Sequence, residues 1–498
     1  MGLIGIDVGT TGCKATIIDF EGNAVKQAYR EYNPESSLNG RHEINPSTVW
    51  ENVKQVLYEC VKGYNGEKIR AISVSSFGEA AVSLDRDGNI LCNSILYIDP
   101  RGKEEAEYLE QRLGNAKVLE IAGTGIHPMY TINKVMWMKK HMQDTYNKTW
   151  KYLLFADFIL YKLGARPHTD YSLAARTMAL DIKEKKWSHE IFEEAQIDIE
   201  KFAEPVQAGT IVGEISREVA DMLGLPHDVV LVAGGHDQAC AALGAGVIKD
   251  MLAVDSVGTV ECITPSFDRP VTSMKMAENN YVCVPHVIQG MYVTYAFTFT
   301  CGSILKWFRN QFGFEDKLEA ERTGRNVYEV IISRCPEEPT NLLFLPHFAG
   351  AGTPYMDTES KGVIAGLDIN TSRGSVIKSI LEGVNFEMLI NTDRFEEAGI
   401  SIDELRVVGG LAKSETFLQL KANIMGKKVV SLNISEAGTL GVAILGGTAC
   451  GIYSSIEDAV TKLVKPRKEF YPDEKIHSIY MEKYEKYKKV YDAVRVLF

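Results

Sequence analysis

A run of strand-forming residues, interrupted by an aspartate and a Gly-Thr turn, occurs twice in this chain, half its length apart. The first copy is Leu3-Ile4-Gly5-Ile6-Asp7, then Val8-Gly9-Thr10-Thr11-Gly12, then Cys13 to Asp19. The second runs from Leu252 to Thr264, with Asp255 and Gly258-Thr259 inside it. Two β-rich runs about a small polar turn are a hairpin signal. A second pair of segments points the same way. Val229 to Ala233 reads as a buried strand broken by Gly234-Gly235, with a helical run from Asp237 to Leu243. Leu405 to Val408 reads as a strand broken by Gly409-Gly410, with a helical run from Glu415 to Met425. A chain made of two matching halves is expected to fold as two related domains, here 1–247 and 248–498. The 498 residues suffice for two or three domains. Elsewhere strand-like and helix-like segments alternate, the α/β pattern. Ile69 to Ser75 is a strand candidate, and Asn45 to Val61 has helical rhythm with Pro46 at its first position. The tail from Ile479 to Val494, rich in Tyr, Lys and Glu, reads as a surface helix with solvated charges.

Charge and cysteines narrow the function classes. A net charge of −12 argues against a nucleic-acid partner, which calls for a basic face. It leaves anionic ligands open, since backbone N–H groups can hold phosphate locally. Nine scattered cysteines, none in a CxxC pair, read as small buried hydrophobes in a reducing compartment. No basic leader precedes Asp7 and no apolar run reaches membrane-span length, so a cytoplasmic chain with no membrane partner is expected.

Three segments could carry chemistry. Asp7 closes a strand beside Gly9-Thr10-Thr11, where glycine admits close backbone approach and the threonines offer donors to phosphate oxygens. Asp7 could orient hydrated Mg²⁺, which prefers oxygen ligands. The same residues would also suit an ordinary Asx turn. Asp237 stands where a strand gives way to a helix, the place where open α/β sheets bind ligands. A carboxylate there could accept a hydroxyl proton during phosphoryl transfer, or simply cap the helix. Gly409-Gly410, with Ser414 following, could let an adenosine ring lie against backbone. Neither a Walker A motif nor a GxGxxG fingerprint is present in the right context.

Taken together, these segments resemble the FGGY family of carbohydrate kinases, over essentially the whole chain and in order. Met129 to Met138, with its Lys134-x-x-Trp137 core, resembles the family's first signature. Gly362 to Gly383 resembles the second, departing at Ser375, where an acid, amide or histidine is usual. The resemblance implies two ribonuclease-H-like domains of the actin-like ATPase type, with an active-site cleft between them. It implies ATP and Mg²⁺ as cofactors and Asp237 as the base. Gly9, Thr10, Thr11, Gly258 and Thr259 would hold phosphates, and Gly409, Gly410 and Ser414 the adenosine. Asp7 and Asp237 would hold the metal. Lys134 and Trp137 are expected to serve helix packing, with the lysine snorkelled.

The family's sugar contacts map onto Gly78, Glu79, Tyr97, Asp99, Asp237 and Gln238. Glycerol kinases carry Arg-Glu, and xylulokinases Met-His, where this chain has Gly78-Glu79. Arg101 is expected to pair with Asp99 or Glu104, and His236 to be structural. The acceptor expected is a small sugar, best a ketopentose such as xylulose, with glycerol or another polyol as the alternative. An actin-like ATPase switch without a sugar acceptor is the alternative of another class. A homodimer is left open.

Overall fold

The computed structural model describes residues 2–36, 40–64, 69–434 and 436–498. The chain opens with a meander, β1 (Gly2–Val8), β2 (Gly12–Asp19) and β3 (Ala24–Glu31). Helix α1 (Pro46–Val61) follows, its first turn capped by the Asn45 side chain, which accepts from the N–H groups of Ser47 and Thr48. It returns the chain to β4 (Ile69–Ser76), parallel to β1. Then come α2 (Thr131–His141), α3 (Tyr171–Ala175), β5 (Ile211–Glu214), β6 (Val230–His236) and α4 (Asp237–Gly244). The strands lie in the order β5-β6-β4-β1-β2-β3, with β6, β4 and β1 parallel. Leu3, Ile4, Ile6 and Val8 are all buried, the unbroken apolar run of a strand covered on both faces.

The second half rebuilds this plan. Its hairpin is β7 (Leu252–Val257) and β8 (Glu261–Phe267), with short strands β9 (Val284–Pro285), β10 (Tyr292–Val293) and β11 (Ala296–Thr298) beyond it. Helices α5 (Gly302–Phe312) and α6 (Arg373–Glu397) precede β12 (Glu404–Val408) and α7 (Glu415–Met425). Then come β13 (Lys428–Leu432), α8 (Ala437–Ala449), β14 (Pro466–Phe470) and α9 (Glu474–Tyr487), followed by a short helix, Val490–Val494. The order is β9-β10-β8-β7-β12-β13-β14, with β11 on β8, and β7, β12 and β13 are parallel.

The internal repeat is therefore real, but its second pairing differs from the sequence reading. Hairpin β1/β2 matches β7/β8, β4 matches β12, β6 matches β13, and α4 matches α8. Gly409-Gly410 thus stands where Gly78 stands, after the first parallel strand. Gly234-Gly235 is not a turn: β6 continues through it to His236. A Cβ on Gly234 would lie 1.9 Å from the Val74 carbonyl oxygen, so the glycines let β6 close on β4, with a register shift between Val232 and Gly235.

The halves meet along α4 and α8. A Cβ on Gly441 would fall 1.9 Å from the Cys240 carbonyl oxygen, and one on Gly244 1.9 Å from that of Ala437. Only glycine permits this crossing.

One further reading needs correction. The tail helix α9 is not a solvated surface helix: Tyr480, Tyr484 and Tyr487 are buried. Their hydroxyls donate to Glu382 (3.1 Å), Asp393 (2.7 Å) and Glu387 (2.6 Å) of α6, and Lys483 reaches Glu382 at 2.5 Å. Ser375 has a structural account. It is the third residue of α6, its N–H bonds the Ser372 hydroxyl at 3.0 Å, and the two hydroxyls meet at 2.8 Å. A longer polar side chain at this position could reach the Ser372 N–H and close a capping box; the serine hydroxyl meets the Ser372 hydroxyl instead. Among the described residues all nine cysteines are free, and no helix is long and apolar enough to cross a membrane.

Candidate active site

The parallel register brings the ends of three strands level. Val8 of β1 pairs with Ser76 of β4, and Ser76 with His236 of β6. The residues at or just past these ends are Asp7, Glu79 and Asp237, at the carboxyl edge where such sheets bind ligands. Asp7 accepts a 2.7 Å hydrogen bond from the Ser75 hydroxyl. Burial raises its pKa, against the hydrogen bond from Ser75 and the charge of Lys14. Asp237 opens α4, and its Oδ1 takes the N–H of Gln238 at 2.6 Å. A third of its side chain stays open to the cleft. Burial, then the charge of Asp7, pushes its pKa up to about 7; Glu79 adds to this, while the Gln238 N–H and Arg176 oppose it. A base poised there accepts protons near neutrality. His236, not Asp237, is the N-cap of α4, so the helix-cap reading does not hold: Asp237 is the first helical residue, with one oxygen on the Gln238 N–H and the group facing the cleft.

His236 is buried, with Nε2 at 3.4 Å from Asp237 Oδ1 and Nδ1 at 3.3 Å from the Tyr295 hydroxyl. Burial, then the Arg176 charge, holds its pKa well below the usual range, so it is neutral. Its own N–H bonds the Ser172 hydroxyl, which in turn donates to Asp170, the cap of α3.

The neighbouring wall is charged. Glu79 adopts φ 65°, an uncommon backbone conformation for a residue with a side chain. Its carbonyl takes the Thr131 hydroxyl at 2.5 Å, and its carboxylate accepts Arg176 Nε at 2.5 Å. Tyr97 is partly exposed, and burial together with the charges of Glu79 and Asp237 raises its pKa, which sets it beside the same cleft. Gln238 follows Asp237 on the first turn of α4 and is half-buried.

Asp99 does not join this group. Its carboxylate is buried and takes Arg101 Nε (2.8 Å), Arg101 Nη2 (2.7 Å) and the His42 N–H (2.6 Å). Burial pushes its pKa up, but the hydrogen bonds from Arg101 and His42 outweigh it and hold the group low. Arg101 also pairs with Glu43 rather than Glu104, which binds Lys140. Nor does Lys134 snorkel: it is buried and ties the Asp99 and Arg101 carbonyls at 2.6 and 2.5 Å. Trp137 stacks under Arg101 at 5.0 Å. The first signature therefore braces the Tyr97–Arg101 loop from behind.

In the second half a cavity of about 460 Å³ brings together Gly258, Thr259, Gly410 and Ser414. Gly409 does not line it but shapes it, with φ 101° and room for no side chain, since a Cβ would lie 2.7 Å from the Val257 carbonyl oxygen. The Ser414 hydroxyl caps α7 by accepting from the Phe417 N–H. Ser303 and Lys306 of α5, with Tyr328, complete the wall and had no motif to mark them. Gly9, Thr10 and Thr11 form a separate, partly exposed turn, closed by a 2.8 Å bond from the Gly9 N–H to the Gly12 carbonyl. Among the described residues no three His, Cys, Asp or Glu side chains gather to hold a metal unaided. Asp7 and Asp237 offer two carboxylates, the number Mg²⁺ commonly takes from protein alongside phosphates and water.

Comparison with known proteins fits this geometry. Residues 2–244 match the model of the N-terminal domain of the FGGY family of carbohydrate kinases, and residues 253–450 that of the C-terminal domain. The chain is 28% identical over 497 residues to a xylulose kinase of Bacillus subtilis (strain 168), covering 99% of this chain and 97% of that one. It is 28% identical over 479 residues to a gluconokinase of the same organism, covering 93% and 90%. The ligand-bound xylulose kinase of Lactobacillus acidophilus superposes with a TM-score of 0.87 at 24% identity, covering 99% and 98%. The glycerol kinase of Plasmodium falciparum with ADP superposes with a TM-score of 0.87 at 21% identity, covering 98% of each chain. With both domain models matched in order and the two-domain fold in hand, this chain belongs to the FGGY family of carbohydrate kinases.

Proposed function

We propose that this protein transfers the γ-phosphate of ATP to a hydroxyl of a small ketose, best a ketopentose such as xylulose, with Asp237 as the base. The observation that carries the reading is Asp237 itself. It is a cleft-facing carboxylate with its pKa raised to about 7, beside the Glu79–Arg176 wall. Asp237 would take the proton of the attacking hydroxyl as the phosphoryl group arrives, leaving positioning and charge to do the rest. Gly9, Thr10 and Thr11 from one half and Gly258 and Thr259 from the other would hold the phosphates. The adenosine would occupy the cavity at Gly410 and Ser414. Mg²⁺ held by Asp7 and Asp237 would offset charge on the transferring group. We set the division between the halves at 247/248, in the link between α4 and β7.

A polyol such as glycerol is the second reading, favoured by the retained Glu79, which can accept from adjacent hydroxyls. The xylulose kinase relatives favour the ketose. The test is ADP release from Mg-ATP over a panel of ketoses and polyols. Release proportional to one added sugar is expected, and Asp237→Asn should cut it about 10²–10⁴-fold with ATP binding retained. Sugar-independent ADP release would favour an ATPase switch instead.

A further inference from the structure

The buried pair Glu79–Arg176 has a consequence for which acceptor the cleft admits. Arg176 follows α3, far in sequence from the strand that delivers Glu79. It is buried, and both Nε and Nη2 engage Glu79 Oε1. Its guanidinium carbon stands 5.3 Å from the ring of Tyr130, in the first half, and 6.0 Å from that of Tyr295, in the second. Its Nη1 has no hydrogen-bond partner. Room for the side chain comes from Gly78, where a Cβ would meet Arg176 Cγ at 2.8 Å and Cβ at 3.0 Å. The absence of a side chain at 78 and the presence of Arg176 are two parts of one arrangement.

We infer that Arg176 is a positioning residue that fixes the Glu79 carboxylate as a hydroxyl acceptor, and that the pair selects neutral polyhydroxy acceptors over sugar acids. This rests on the kinase reading above. Three carboxylates, Asp7, Glu79 and Asp237, line this wall; Arg176 spends Nε and Nη2 on Glu79, and the charge of Lys14 acts on Asp7. An acceptor bringing adjacent hydroxyls can donate to Glu79 without disturbing the pair. An acceptor bringing a carboxylate would add a fourth negative charge to this wall, with only the unpartnered Nη1 of Arg176 to meet it. The fork also holds one carboxylate orientation, which a point charge does not.

The test uses the full-length chain with Mg-ATP, comparing D-xylulose and the other ketoses and polyols of the panel with D-gluconate. The wild type is expected to prefer a neutral acceptor. Arg176→Ala should raise KM for that acceptor roughly 10–100-fold, the worth of a charged hydrogen bond, with KM for ATP unchanged. Arg176→Lys should recover little. Gly78→Ala, which keeps the arginine but displaces it, should raise the acceptor KM in the wild-type background and have a smaller effect in the Arg176→Ala background, where only the Cβ at 176 and the His236 ring still stand close. Glu79→Gln should narrow the preference for the neutral acceptor over gluconate about tenfold or more. An unchanged acceptor KM in Arg176→Ala, additive effects of Gly78→Ala, or gluconate as the better wild-type acceptor would each overturn the inference while leaving the kinase intact. Absence of turnover with every acceptor would overturn the kinase reading and this inference with it.

Discussion

Replacing Lys421 with methionine should loosen the hairpin that carries Gly258-Thr259, although Lys421 touches neither residue. Lys421 lies on α7 and is fully buried. Its ammonium donates to Glu261 Oε1 at 2.6 Å and meets Asp255 Oδ2 at 2.8 Å as an ion pair. Asp255 is on β7 and Glu261 on β8, so one lysine grips both arms of the turn. Burial opposes its charge, but the two carboxylates outweigh burial and raise its pKa. Removing one partner of a buried ion pair costs about 3–5 kcal/mol, because the remaining charge stays buried. For a domain of this size that is roughly a 6–20 °C fall in Tm. The deficit should shrink with acidity. Burial already raises the Glu261 pKa, and Lys421 is the strongest influence holding it down. Without the lysine the folded state takes up a proton that the unfolded state does not hold until lower pH. Stability of the variant relative to wild type should therefore recover as pH falls from the alkaline side to about 7, where the wild-type Glu261 takes up its proton too. Thermal melts over that range, with KM for ATP at each pH, measure both effects. A variant that melts with the wild type, or a deficit independent of pH, would refute the reasoning.

Three shorter predictions follow from the same kind of geometry. The kcat/KM of the kinase should fall as pH drops through about 7, where Asp237 gains its proton; Asp7→Asn removes the second-largest cause of that raised pKa and should move the profile to lower pH. Gly441→Ala drives a methyl into the Cys240 carbonyl and should cost about 1–3 kcal/mol or more, seen as a lower denaturation midpoint. Tyr487→Phe removes the 2.6 Å donor to buried Glu387 and should cost about 1.5–3 kcal/mol in the same assay, which a solvated tail helix would not do.

What could be read from sequence, and what could not, divides along physical lines. Contiguous features were legible: the Gly9 and Gly258 hairpins, the α/β alternation, and Asp237 at a strand-to-helix junction all reproduce local chemistry. The pairing of the two Gly-Gly segments failed because glycine has two uses. At Gly409 it supplies a positive φ after a strand, whereas at Gly234 it lets one strand press against another. Composition misled at α9. Its lysines and glutamates suggested solvent, yet the tyrosines recur at helical spacing and form a buried stripe whose hydroxyls reach the acids of α6. Asp99 is drawn off by its own neighbour: Arg101, two residues on, folds back onto the carboxylate, a pairing the sequence already offered.

Arg176 and Tyr295 were missed because the pocket is assembled across the fold. One follows α3, the other lies between β10 and β11 of the opposite half, and they meet only when α4 and α8 cross at their glycines. The two halves therefore do more than cover a nucleotide. Asp237 is held from the first half by Ser172 and Asp170 behind His236, and from the second by the Tyr295 hydroxyl on the same histidine. The proposed base and the proposed acceptor wall share that tyrosine. A shift of the second half should thus move both together, so a variant at Tyr295 is expected to change the acceptor KM and the pH profile of kcat/KM at once.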